Sequence, residues 1–184
     1  MKCKWAEKNQ LLLEYHDHEW GLPVFDSNQL FKNLSLQIFQ SGLQWELILK
    51  KRIEMARALG DFNPQFLTGL SNQEIEKLLI DSRIIRNERK FRAVINNAFV
   101  VKRLLADGVC FSDYVWHFVD FVVYDMERNE ANKMTETNPL AIRIANKMKI
   151  DGFEFIGSKN VSFFLQGSGI VNAHWINCSW RNGH

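Results

Sequence analysis

Leu34-Ser-Leu-Gln-Ile-Phe-Gln-Ser-Gly-Leu-Gln-Trp-Glu-Leu-Ile-Leu-Lys-Lys-Arg52 reads as two helices meeting at a joint. Leu30, Leu34 and Ile38 keep an i, i+4 stripe up to Ser41-Gly42, where the glycine can take the left-handed conformation that ends a helix. A second stripe runs through Trp45, Ile48 and Leu49 into the basic run Lys50-Lys51-Arg52. Gln37, Gln40, Leu43, Gln44 and Trp45 gather at the joint. Amides and a large aromatic beside a helix break either cap a core or line a pocket for a flat, polar molecule. For an isolated Trp, the core is the commoner fate.

Outward from the joint, helical stripes recur with recognisable ends. Asp26 or Ser27 can cap the helix that carries Leu30 and Leu34, and Asn63-Pro64 opens a short helix. Ser71-Asn72-Gln73-Glu74 has the capping-box spacing, ahead of Ile75, Leu78 and Leu79. Phe91, Val94, Ile95 and Ala98 stripe a helix that runs to about Ala106, before Gly108. Asp113 to Val123 is apolar enough to be a buried helix, whereas Met126 to Thr137 has no stripe and reads as a long exposed loop. Asn138-Pro139 caps a helix through Ile142 and Ala145. Ser158 opens a last one through Val161, Phe164 and Leu165, broken by Gly167 and Gly169. Strand-like alternation barely rises above Phe153-Glu154-Phe155-Ile156. The fold class expected is all-α, a compact orthogonal bundle.

A chain of 184 residues, 46% hydrophobic and 24% charged, has the make-up of one soluble domain, here residues 1–184. No apolar run is long enough to cross a bilayer, and the start lacks the apolar core of a signal peptide, so a cytoplasmic protein is expected. Net charge is only +2, which by itself demands no nucleic-acid partner. Basic residues nonetheless clump at Lys50-Lys51-Arg52, Arg83 to Arg92 and Lys102-Arg103. Such clumps bind phosphates or are simply solvated helix faces.

Three cysteines in such a chain argue for metal binding or burial rather than disulfides. Cys3 and His16 lie near the start; His174 and Cys178, spaced i, i+4, lie near the end and would share one face of a helix. Two Cys and two His form a tetrahedral zinc set, and four protein ligands with no open position make a structural site. On spacing alone His18, His117 and His184 compete as ligands, while Cys110 reads as core.

Several segments occur in the order found in one family: Cys3-Lys4-Trp5, Tyr15-His16-Asp17-His18-Glu19-Trp20-Gly21-Leu22-Pro23, Gln40-Ser41-Gly42-Leu43-Gln44-Trp45, Ile84-Ile85-Arg86-Asn87 and Gly169-Ile170-Val171-Asn172-Ala173-His174. The chain resembles the bacterial DNA-3-methyladenine glycosylase I family, within the helix-hairpin-helix glycosylase superfamily. That resemblance implies a monomeric, monofunctional repair enzyme that binds alkylated double-stranded DNA, flips out 3-methyladenine and hydrolyses its N-glycosidic bond. It also implies that the termini are joined by one structural zinc on Cys3, His16, His174 and Cys178.

On the matching positions, the base-binding residues expected are Tyr15 and Trp45, with Trp5, Trp20 and Gln44 beside them. Leu43 would wedge into the base stack, and Arg86, Arg89 and Lys90 would add charge to a hairpin that holds a phosphate. Departures cluster at the pocket. Gln37 stands where the family carries a glutamate that contacts the base, Gln44 where Ser is usual, and Ala173 where Asp is usual. Lys159 to Ser162 lacks the family's Thr and Tyr, and Arg83 stands where a hairpin glycine is frequent. Gln37 is the expected catalytic position. The alternative is a divergent paralogue that binds DNA or damaged bases with weak, altered or no excision.

Overall fold

The computed structural model describes residues 1–129 and 138–182. Through its middle runs α2 (Ser27–Gln40), opened by Asp26, whose carboxylate accepts the Gln29 N–H. The expected stripe of Leu30, Leu34 and Ile38 is fully buried, and Phe31, Leu36 and Phe39 are buried around it. A helix apolar on so many sides has to be covered on all of them. Accordingly α3 (Trp45–Ala58), α6 (Glu88–Ala106), α7 (Phe111–Trp116) and α9 (Ser158–Gly167) pack against it.

Helix starts follow the capping chemistry. Asn9 caps α1 (Gln10–His18), Asn63 caps α4 (Pro64–Thr68), and Ser71 with Glu74 closes a full capping box on α5 (Asn72–Leu79). Asn87 caps α6 and Asn138 caps α8 (Pro139–Ile150). Gly42 has φ +78, the left-handed value expected where α2 ends.

Several expectations are corrected. The chain is mostly helical but not purely so: β1 (Tyr124–Asp125) pairs in parallel with β2 (Val171–Asn172). The stretch Asp113 to Val123 is not one buried helix. It stops at Trp116, a 3-10 turn follows, and Asp120 and Phe121 take positive φ, leaving Phe121 and Val122 exposed. Phe153 and Ile156 are buried without strand pairing, since Phe155 at φ +58 bends the chain between them. In α8 the inward face is Ala141, Ile144, Ala145 and Met148, and Ile142 is exposed.

The expected loop from Met126 to Thr137 lies partly outside the described residues, at 130–137. Its beginning is tied down: the Met126 N–H donates to Asn172 O at 3.0 Å, and Arg128 is buried and bridges to Trp175. Its backbone extends the β1–β2 pairing, a tertiary contact that local sequence does not carry.

Candidate active site and metal clasp

The two ends of the chain meet. Ser179 N donates to Met1 O at 2.9 Å, and just inside this contact Cys3, His16, His174 and Cys178 gather, all buried, with ligand atoms within 4.8 Å of one another. Cys178 Sγ lies 3.6 Å from His16 Nε2 and 3.5 Å from His174 Nδ1, and Cys3 Sγ lies 3.7 Å from His174 Nδ1. A tetrahedral ion with Zn–S near 2.3 Å and Zn–N near 2.0 Å requires S···N edges of about 3.6 Å. The four side chains therefore fit a zinc-sized ion.

His174 and Cys178 meet through a turn, not the expected helix: Cys178 N donates to Trp175 O at 2.8 Å. His18 and His117 are exposed and outside the cluster, and His184 lies outside the described residues. Cys110 is not core; its Sγ accepts the Asp113 N–H and caps α7.

The surroundings of the cluster suit metal ligands. Asp17 Oδ1 lies 2.8 Å from His16 Nδ1, which aims the other ring nitrogen at Cys178. Burial pushes the Cys3 thiol up to about 12, and burial with the neighbouring His16 pushes His174 down to about 4. A neutral His174 suits a ligand, and a bound dication would deprotonate the thiols. Gly21, at φ +80, leaves the room His174 needs: a Cβ there would fall 2.7 Å from His174 Nε2.

Trp20 and Trp5 join this cluster to a second site. Trp20 packs edge-on to His174 with centroids 4.6 Å apart, and Trp5 lies edge-on to Trp20 at 5.0 Å. Beyond them opens a cavity of about 280 Å³, lined by Trp5, Tyr15, Trp20, Gln37, Gln40, Trp45, Arg128, Phe163 and Gln166. A larger cleft of about 770 Å³ lies across the partition formed by Tyr15, Gln37 and Trp45, and carries charged groups such as Glu19, Lys32, Arg52 and Asp61. The smaller cavity is the better site for a flat ring, because its walls are aromatic and amide and its polar groups await partners.

Those groups are specific. Trp45 Nε1 and Arg128 Nε and Nη2 are buried and have no hydrogen-bond partner among the described residues. The Gln37 amide, on a residue 7% exposed, likewise faces the cavity and makes no side-chain hydrogen bond among the described residues. Tyr15 and Trp45 rings lie 5.4 Å apart. Burial, then the charge of Glu19, pushes the Tyr15 hydroxyl well above its ordinary range, so it stays protonated. The Trp45 indole draws that value back somewhat, yet the pair misses hydrogen-bond geometry and the indole N–H is left over. Gly167 keeps the floor open, since a Cβ there would come 3.2 Å from the Tyr15 hydroxyl.

Of the residues expected to bind the base, Tyr15, Trp45, Trp20, Trp5 and Gln37 share this cavity, but Gln44 does not. Gln44 is the exposed, extended residue before α3, and Gln40 lines the cavity in its place. Arg128, Phe163 and Gln166 complete the lining, and no sequence signal marks them. Arg128 lies in a stretch without periodicity, and Gln166 is an ordinary polar position of α9 until the fold turns it inward.

Beside the cavity stands the joint. Gln40 holds Leu43 at both ends, its carbonyl accepting Leu43 N–H at 2.6 Å and its amide donating to Leu43 O at 2.8 Å. Leu43 itself is half-buried, and Arg86 and Arg89 are exposed on and after the α5–α6 turn. Lys90, expected at a phosphate, is instead buried, donating to the carbonyls of Phe39 at 2.8 Å and Ser41 at 2.5 Å. Those carbonyls end α2 and have no helical partners, which explains why a lysine is drawn inward. Arg83 avoids the left-handed conformation: the Asp81 carboxylate accepts its N–H at 2.8 Å and pairs with its guanidinium.

A sequence profile described as methyladenine glycosylase matches residues 5–182. The chain belongs to the methyladenine glycosylase family. It is 31% identical to DNA-3-methyladenine glycosylase 1 of Escherichia coli K12, over 100% of this chain and 98% of that protein. Two solved structures of 3-methyladenine DNA glycosylase I from Staphylococcus aureus share the fold. One, described as the structural basis of 3-methyladenine recognition, has a TM-score of 0.90 at 32% identity, covering 100% of this chain and 97% of the other. The other is a glutamate-to-glutamine mutant, with a TM-score of 0.92 at 31% identity, covering 100% and 98%. Among the described residues of this methyladenine glycosylase relative, no helix is long and apolar enough to cross a membrane.

Proposed function

We propose that this protein is a monofunctional base-excision glycosylase of helix-hairpin-helix type that removes 3-methyladenine from alkylated double-stranded DNA. The observation that carries the reading is the aromatic cavity with unpaired polar groups, set beside a rigid joint that presents Leu43. A flipped base would stack against Trp45 and Tyr15 and meet the free Gln37 amide, while Leu43 fills the gap left in the duplex. Arg86 and Arg89 would contact backbone phosphates without reading sequence.

The chemistry asks little of the protein. A purine methylated at N3 is cationic, so the electron pair of its C1′–N9 bond neutralises the ring as the base leaves. Water bonds to C1′ and gives its proton to solvent. No lysine lines the cavity among the described residues, in keeping with hydrolysis rather than Schiff-base strand cleavage. Cys3, His16, His174 and Cys178 would hold a structural zinc that fixes the Trp5–Trp20 wall and takes no part in bond breaking.

The test is release of 3-methyladenine from methylated duplex DNA, followed by chromatography, with nicking measured before and after alkali. Base release with nicks only after alkali is the expected result. DNA binding without any base release would identify the protein as a binding paralogue instead.

A further inference from the structure

The cavity holds a positive charge that removal of a cationic base does not use. Arg128 is 5% exposed, and it lines the same cavity as Trp45 and Gln37. Its Nη1 donates to Ala173 O at 3.3 Å, while Nε and Nη2 have no partner among the described residues. The backbone fixes it there: Ile176 N donates to Arg128 O at 2.8 Å, and Arg128 bridges to Trp175 beyond the β1–β2 pair. A buried guanidinium with idle N–H groups is costly and calls for an acceptor.

No carboxylate lines the cavity to offset this charge, because position 37 is an amide. A cationic base entering it meets a like charge, whereas a neutral base with an oxygen or ring-nitrogen acceptor meets donors: the guanidinium of Arg128 and the Trp45 indole. The same set suits departure. When a neutral purine leaves, the C1′–N9 electron pair makes the ring an anion, with charge spread over its ring nitrogens and exocyclic oxygen. A fixed cation aimed at those atoms stabilises them in the transition state without moving a proton.

Resting on the glycosylase reading, we propose that the pocket also excises a neutral oxopurine from DNA, with Arg128 as the donor that holds the departing anion. Water bonds to C1′ as the C1′–N9 bond breaks, and the base anion takes the proton that water loses, through solvent.

The experiment compares duplexes carrying a single hypoxanthine or xanthine with methylated duplex DNA, using wild type, Arg128→Gln and Gln37→Glu, each checked for folding by circular dichroism. Wild type is expected to release hypoxanthine or xanthine. Arg128→Gln should slow that release at least tenfold and raise release of 3-methyladenine. Gln37→Glu, which places a carboxylate in the cavity, should shift the preference the same way without disturbing the Arg128 backbone. Release of 3-methyladenine alone by wild type overturns this proposal and leaves the glycosylase reading standing; release of no base overturns both. An equal loss on both substrates in Arg128→Gln, with no change of preference in Gln37→Glu, also overturns the assignment of Arg128.

Discussion

The ammonium of Lys90 donates to the carbonyl of Ser41 at 2.5 Å, tying the first turn of α6 to the end of α2. Lys51, on α3, ties the same region from the other side by donating to Ser82 O at 2.8 Å. The joint and the α5–α6 turn are therefore one rigid unit, and the basic residues of this region divide into those that build it and those left free for a ligand. Lys90→Met should lower stability by about 1.5–3 kcal/mol, the range for hydrogen bonds to a charged group. It should leave the salt dependence of DNA binding unchanged. Arg89→Ala should do the reverse, keeping the melting temperature and reducing the salt slope by about one. Thermal melts and fluorescence anisotropy across a salt series separate the two.

Gln37→Glu should raise excision of 3-methyladenine by roughly one to two orders of magnitude, the worth of a charge-assisted hydrogen bond of about 1.5–3 kcal/mol. Single-turnover release from methylated DNA measures it. A variant no faster than wild type would show that position 37 does not limit the reaction.

Purified protein should carry close to one zinc per chain, and Cys178→Ala should lose it. Elemental analysis after chelator-free purification reads this directly. Acid should act the same way. In the metal-free protein, with His174 held near 4, below its ordinary 6.5, the folded state keeps this imidazole neutral while the unfolded chain takes up a proton. Stability is then fully present above about 6.5 and falls as pH drops toward about 4. The melting temperature of the metal-free protein should decline across that window, and in the loaded protein acid should release zinc as protons compete for its ligands.

Two glycines separate backbone strain from crowding. Gly42 and Gly21 both have positive φ, +78 and +80, but a Cβ at Gly42 meets nothing within 4 Å while one at Gly21 strikes His174. Gly42→Ala should cost about 1 kcal/mol and keep the metal, whereas Gly21→Ala should cost more and lower zinc content. Paired melts and metal analysis decide it.

Much of this was legible in the chain, for local reasons. Caps at Asp26, Asn63, Ser71 and Asn138, and the stripe of α2, express short-range chemistry that does not depend on the rest of the fold. The resemblance carried Tyr15, Trp45 and the Cys and His set to neighbouring places, and the structure gathers them. What could not be read depends on distant contacts. Lys90 looks like surface charge until the end of α2 arrives above it, and Arg128 looks like loop until residues 172–176 pair alongside. Gln44 and Gln40 are equivalent by composition, and only the direction of the chain after Gly42 sends one outward and the other into the cavity.

The meeting of Cys3 with Cys178 has a consequence for how the protein is made. Trp5 and Trp20, which wall the cavity, rest on a cluster whose last member, Cys178, is made 162 residues after His16. Helices α1 to α6 are all made before residue 178, and the cluster behind the cavity wall is complete only when that residue is free. A nascent chain therefore acquires much of its helical body before the support of this cavity wall is complete, and one that stops short of residue 178 lacks that support.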